Sequence, residues 1–91
     1  MNPNQPAQAA VQQARKALSE RHSATARQWA AEAVRLDPSQ EEPWLILGAL
    51  STGSASLHYL KRALEINPSS QRARQGIHWA LKNQRQATRT S

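Results

Sequence analysis

The chain has 91 residues, no cysteine, and 12 basic against 6 acidic side chains, a net charge of +6. That length holds one small domain and leaves no room for a two-domain enzyme with a deep cleft. The lack of cysteine excludes a disulfide framework, a thiolate zinc site and a cysteine nucleophile. Ala supplies 16 residues of a 38% hydrophobic share and Phe is absent, which suits closely packed helices and argues against an all-β domain.

The first element predicted is a helix over about residues 5–21, where Ala7, Ala10, Val11, Ala14, Ala17 and Leu18 recur at helical spacing. Ser23 is placed as the N-cap of a second helix with the stripe Ala26, Trp29, Ala30, Ala33 and Leu36, stopped by Pro38. Ser39 and Glu42 fit a capping box for a third helix, with Pro43 in or near its first turn and the run Trp44 to Leu50 inside it. That helix is expected to end near Thr52, with Gly53 as its left-handed C-terminal residue. Ser54 then caps a fourth helix that buries Leu57, Leu60, Ala63, Leu64 and Ile66 and stops at Pro68. Ser69 or Ser70 caps a fifth, with Ala73, Ile77, Ala80 and Leu81 as its stripe. Residues 1–4 and 87–91 have nothing to bury and are expected to be disordered.

Charge is segregated along this order. Residues 1–65 carry 7 bases and all 6 acids, whereas Arg72, Arg74, Lys82, Arg85 and Arg89 follow with no acid among them. Such a segment suits an acidic protein, nucleic acid or an anionic surface, or simply a solvated helix end. No window approaches the ~20 apolar residues of a membrane span, and the polar start from Met1 to Ala10 does not resemble a signal peptide. The expectation is a cytoplasmic protein without a membrane span, and the initiating Met1 and polar ends favour a whole protein.

The segments Leu36-Asp37-Pro38-Ser39 and Ile66-Asn67-Pro68-Ser69 are near copies 30 residues apart, and Trp29 and Ala33 correspond to Tyr59 and Ala63. A fixed period of this size marks a stacked repeat. Trp44-x-x-Leu47-Gly48, then Leu60-x-x-Ala63, then Pro68, resembles the tetratricopeptide repeat, a helix–turn–helix unit. Residues 5–38, with Ala33 and Pro38, look like a weaker copy, and residues 69–86 like a half repeat that caps the stack. The resemblance implies a short right-handed solenoid: hairpins over 5–38 and 39–68, then the capping helix. Ala33, Pro38, Trp44, Leu47, Gly48, Leu60, Ala63 and Pro68 are then packing residues, with Gly48 permitting close helix approach. The second unit is about four residues shorter than the usual ~34. The loss lies around Leu50 to Ser56, with Ser51 in the family's tyrosine slot and Ser56 in its small-residue slot. In the first unit Ala30 takes an aromatic slot, and Trp29 is expected to compensate.

No constellation for chemistry stands out. His22, His58 and His78 lack partners at metal-ligand spacing, Glu41-Glu42 suits a helix start, and Gly48, Gly53 and Gly76 are isolated. The chain is therefore expected to be no enzyme and to hold no cofactor or metal. The resemblance implies instead a groove lined by the first helix of each hairpin, receiving a peptide or helix of a partner protein. Carried onto this chain, its residues are Gln8, Val11, Arg15 and Leu18, then Glu42, Leu45, Ala49 and Thr52, then Arg72, Gln75, Trp79, Lys82 and Asn83. Within that set the partner-binding candidates are Arg15, Leu18, Leu45, Ala49, Arg72, Gln75, Trp79 and Lys82. Trp79, off the centre of its helix stripe and flanked by Arg72 and Lys82, either anchors the partner or folds over the end of the stack. The family's carboxylate clamp is not matched, because Val11 and Leu45 stand where it needs Asn and Lys. Two alternatives stand beside an adaptor for an acidic or mixed peptide: nucleic-acid contact through the basic C-terminal segment, and self-association into a homodimer.

Overall fold

Five helices follow one another: α1 (Gln5–Ser19), α2 (Ser23–Leu36), α3 (Glu41–Ala49), α4 (Gly53–Ile66) and α5 (Gln71–Arg89). This computed structural model describes the backbone of residues 5–89 and the side chains of residues 5–83, with no strand among them. The chain is all-helical, as its alanine-rich composition requires. Helix α5 reaches Arg89, past the expected boundary at 86; residues 1–4 and 90–91, the ends expected to be disordered, lie outside the described residues.

The termini correct several expectations. α1 ends at Ser19, where the His22 amide donates to the Ala17 carbonyl at 2.8 Å and the Arg21 amide to the Leu18 carbonyl at 3.0 Å. Arg21 sits at φ 63, so this is a Schellman termination built on arginine where glycine is usual. Ser23 is the first residue of α2 rather than its cap; the cap position is His22, whose side chain makes no capping bond. The Ser39–Glu42 capping box does not form. The Ser39 hydroxyl donates to Asp37 at 2.6 Å, and Gln40 occupies the cap position. α3 stops at Ala49, earlier than expected, and Gly53, at φ 61, opens α4 instead of closing α3. Ser54 lies inside α4, behind a cap position held by Thr52 without a side-chain bond. Of the caps read from the sequence Ser70 holds: its hydroxyl accepts the Ala73 amide at 3.1 Å.

Each helix packs on the next, and α3 also touches α1 and α5. Thus α1, α3 and α5 form one row and α2 and α4 a second. The molecule measures 52 × 28 × 18 Å, and its thin dimension suits two helix layers ~8–10 Å apart. The α1–α2 contact is built from alanine: Ala7, Ala10, Ala14 and Ala17 face Ala26, Ala30 and Ala33, all buried. Each buries little apolar area but loses no side-chain entropy, so the backbones close together cheaply. Larger side chains fill the next layer, where Ile46 and Leu47 of α3 join Ala14 and Ala30, with Leu18 and Tyr59 packed around them. Leu45, Leu60 and Ala63 then meet Ala73, which seats α5 on the α3–α4 pair.

Two glycines let α3 and α5 approach Leu60 of α4 closely. A Cβ at Gly48 would lie 2.7 Å from both Cγ and Cδ2 of Leu60, and one at Gly76 would lie 3.0 Å from its Cδ1. Leu60 is therefore held between α3 and α5. Beside it the buried Ser56 hydroxyl donates to the Gly48 carbonyl at 2.8 Å. Trp44 ties the turn before α3 to α4: its indole N–H donates to the Pro38 carbonyl at 2.9 Å, and the Arg62 guanidinium lies 5.4 Å from its ring centroid.

The predicted stripes are correct at their centres and wrong at their margins. Trp29 and Leu36 are 38% and 40% exposed and Leu81 is 47% exposed, so Trp29 does not fill the aromatic slot beside Ala30. Leu57, Leu64 and Ile66 are half-buried, whereas Ser56 is buried.

Candidate functional site

The row α1, α3, α5 presents one face with three recesses. A polar one of about 420 Å³ lies between α1 and the start of α3, lined by Gln8, Val11, Arg15 and the 40–42 segment. There Arg15 reaches across to Glu42: Nε donates to Oε1 at 2.6 Å, and a second guanidinium N–H bonds Oε2. That contact holds the Glu42 carboxyl below the ordinary glutamate range. Glu41 is held below it as well, first by the Ser70 hydroxyl and then by the Asn67 amide, whose Nδ2 donates at 3.0 Å. Both acids are thus ionised at neutral pH and engaged within the fold.

Beyond Leu45 the face turns apolar. A recess of about 170 Å³ separates α3 from α5, with Leu45, Ala49 and Leu60 on one side and Arg72, Gly76 and Trp79 on the other. A notch of about 240 Å³ adjoins it, walled by Ser51, Thr52 and Gly53 at the α3–α4 turn and by Trp79, Ala80 and Asn83 of α5. Trp79 forms a wall of both and is 65% exposed. It belongs to none of the core clusters described above.

The predicted groove residues divide accordingly. Gln8, Val11, Arg15 and Glu42 meet in the polar recess, Leu45, Ala49, Arg72 and Trp79 in the apolar one, and Thr52 and Asn83 in the notch. Leu18 does not belong with them: it packs against Ala14, Ala30, Ile46 and Leu47 in the core. Gln75 and Lys82 are exposed on α5 and line none of the three recesses. Ser51, Ser56, Gly76 and Ala80 were not predicted and line the apolar side. For Ser51 and Ser56 the sequence signal is the shortened second unit, whose loss lies around Leu50 to Ser56; Gly76 and Ala80, inside α5, carry no such signal.

The histidines His22, His58 and His78 are exposed and apart, and no three His, Asp or Glu side chains gather as a metal-ligand group among the described residues. No helix among the described residues is long and apolar enough to cross a membrane. No family model, curated protein or solved structure matches this chain.

Proposed function

We propose that the chain is a non-enzymatic, cytoplasmic interaction module. In this reading it is a short right-handed stack of two tetratricopeptide-like hairpins, residues 5–38 and 39–68, closed by α5. A peptide or helix of a partner protein lies along the α1, α3, α5 face. The observation that carries the reading is Trp79: a large indole 65% exposed, outside the core clusters, walling two adjoining recesses next to Arg72. Trp and Arg are the residues on which binding energy concentrates, and a solvated indole that packs no core has little reason to be there for stability. The repeat spacing of 30 residues, the two-row packing and the Gly48–Leu60 contact support the hairpin reading.

A capture experiment from native lysate, with and without nuclease, tests this on wild type and an Arg72→Ala/Trp79→Ala/Lys82→Ala variant. Proteins retained after nuclease and lost with the variant are the expected result. If nuclease empties the wild-type lane, the basic α5 is a nucleic-acid contact and the module reading falls.

A further inference from the structure

α3 has 9 residues, whereas α5 has 19. Where a longer α3 would continue alongside α5, the chain turns at Leu50–Thr52, and the space is left open as the notch against Trp79 and Ala80. The notch measures about 240 Å³. A cavity of ~150 Å³ already holds a benzene ring, so one bulky apolar side chain fits. Ser51, Thr52, Ser56 and Asn83 line it beside the indole and Ala80, yet the surface it offers is mostly carbon.

The charge on α5 has one sign. Every charged residue of α5 is basic. Arg74 is engaged by the Pro68 carbonyl at 2.7 Å. Arg72 and Lys82, seven residues before and three after Trp79, form no ion pair among the described residues. Glu41 and Glu42 are held by hydrogen bonds from Ser70, Asn67 and Arg15, with Arg72 adding a weaker attraction from α5. A carboxylate from outside the chain would thus meet Lys82 and an Arg72 guanidinium that attracts Glu41 and Glu42 from a distance but is bound to neither.

We infer that the Trp79 notch is a receptacle for an acidic segment of a partner protein, in which one bulky apolar side chain enters between Trp79 and the Ser51–Gly53 turn while flanking carboxylates meet Arg72 and Lys82. This rests on the interaction-module reading and specifies its partner. A second copy of the chain is disfavoured, because two α5 helices face to face would bring only positive charge together. A nucleic-acid strand is disfavoured because α5 offers one aromatic rather than a series of stacking platforms.

The test is selection from a random peptide display library on the intact protein. A labelled copy of the most enriched peptide is then titrated against wild type, Trp79→Ala, Arg72→Glu and Thr52→Trp, the last placing a ring in the notch without removing Trp79. Far-ultraviolet circular dichroism melts confirm that each variant is folded. The expected consensus places Leu, Ile, Phe or Trp beside Asp or Glu, with affinity lost by at least about tenfold in each variant, as at a binding hot spot. Enriched peptides without acids, or binding indifferent to Trp79→Ala and Thr52→Trp, would overturn the notch inference and leave the module reading standing. A library that yields no binder at all overturns both. Tighter, Trp79-dependent binding of a labelled single-stranded oligonucleotide would replace the acidic segment with nucleic acid.

Discussion

Gly48→Ala is the sharpest probe of how α3 meets α4. Its Cβ would stand 2.7 Å from both Cγ and Cδ2 of Leu60, a separation that a carbon pair does not tolerate. Leu60 can give way only toward Gly76, where the missing Cβ leaves room for about one methyl beside its Cδ1. Inserting a methyl into a packed contact costs ~1–3 kcal/mol, and replacing glycine in a helix returns ~0.5–1 kcal/mol. Taking the middle of each range, the net loss is about 1 kcal/mol, or a fall in Tm of roughly 4–8 °C for a domain of this size. Gly76→Ala, with its contact a few tenths of an ångström longer, should change stability by less than about 1 kcal/mol. Leu60→Ala alone should cost ~2–5 kcal/mol. In the Gly48→Ala background the clash is gone, so the double variant should be less damaged than the sum by about 1–2 kcal/mol. Thermal and urea melts followed by circular dichroism read all four. A Gly48→Ala protein as stable as wild type, or an additive cycle, would show that Leu60 is not pinched between the two glycines.

Arg21→Gly should stabilise the protein by about 1 kcal/mol, because Arg21 occupies the left-handed region at φ 63 where glycine has no Cβ to clash; a lower melting midpoint would refute the α1 termination. Ser70→Ala should cost ~1 kcal/mol through loss of the α5 N-cap, measured as a shift in the urea midpoint at unchanged slope. The lowered values of Glu41 and Glu42 mean that the folded state takes up protons less readily than the unfolded one. Their stabilisation is therefore complete above the unfolded glutamate value and fades as pH falls through the lower folded values. Tm should hold from neutral pH to about pH 5 and drop below it, less steeply in Glu41→Gln/Glu42→Gln; an unchanged acid limb in that variant would show that these bonds do not couple to folding.

The parts of the fold legible in the sequence were those fixed by periodic burial. Ala10, Ala14, Ala30, Ala33, Leu47, Leu60 and Ala63 are all buried where helical spacing placed them. Caps were far less legible, because several serines compete near each helix start and local geometry selects among them. Ser39 turns its hydroxyl to Asp37, and Ser23 lies one residue too late to cap. The end of α1 was illegible because arginine at a left-handed position carries no compositional flag. Leu18, a groove candidate in the last turn of α1, is half-buried against the cluster of Ala14, Ala30, Ile46 and Leu47 and lines none of the three recesses, as a large aliphatic side chain gains from apolar neighbours.

Leu60 connects the stability of the α3–α4 pair to the shape of its open face. It is buried against Gly48 and Gly76, yet it also lines the recess beside Trp79. The two glycines bring the α3 and α5 backbones onto the leucine, and the early end of α3 leaves the next stretch of α5 without a neighbour. Close packing around Leu60 thus comes from the two glycines, and the open space beside Trp79 from the short α3. Extending α3 by a turn would fill the notch and cover the indole, increasing the buried area at the expense of the recess. Small residues on both sides of the gap, Ser51, Gly53 and Ala80, keep it from closing by side-chain collapse. A receptacle beside a stable pivot needs that division, because the wall that orients an incoming side chain must not itself move when the notch is filled.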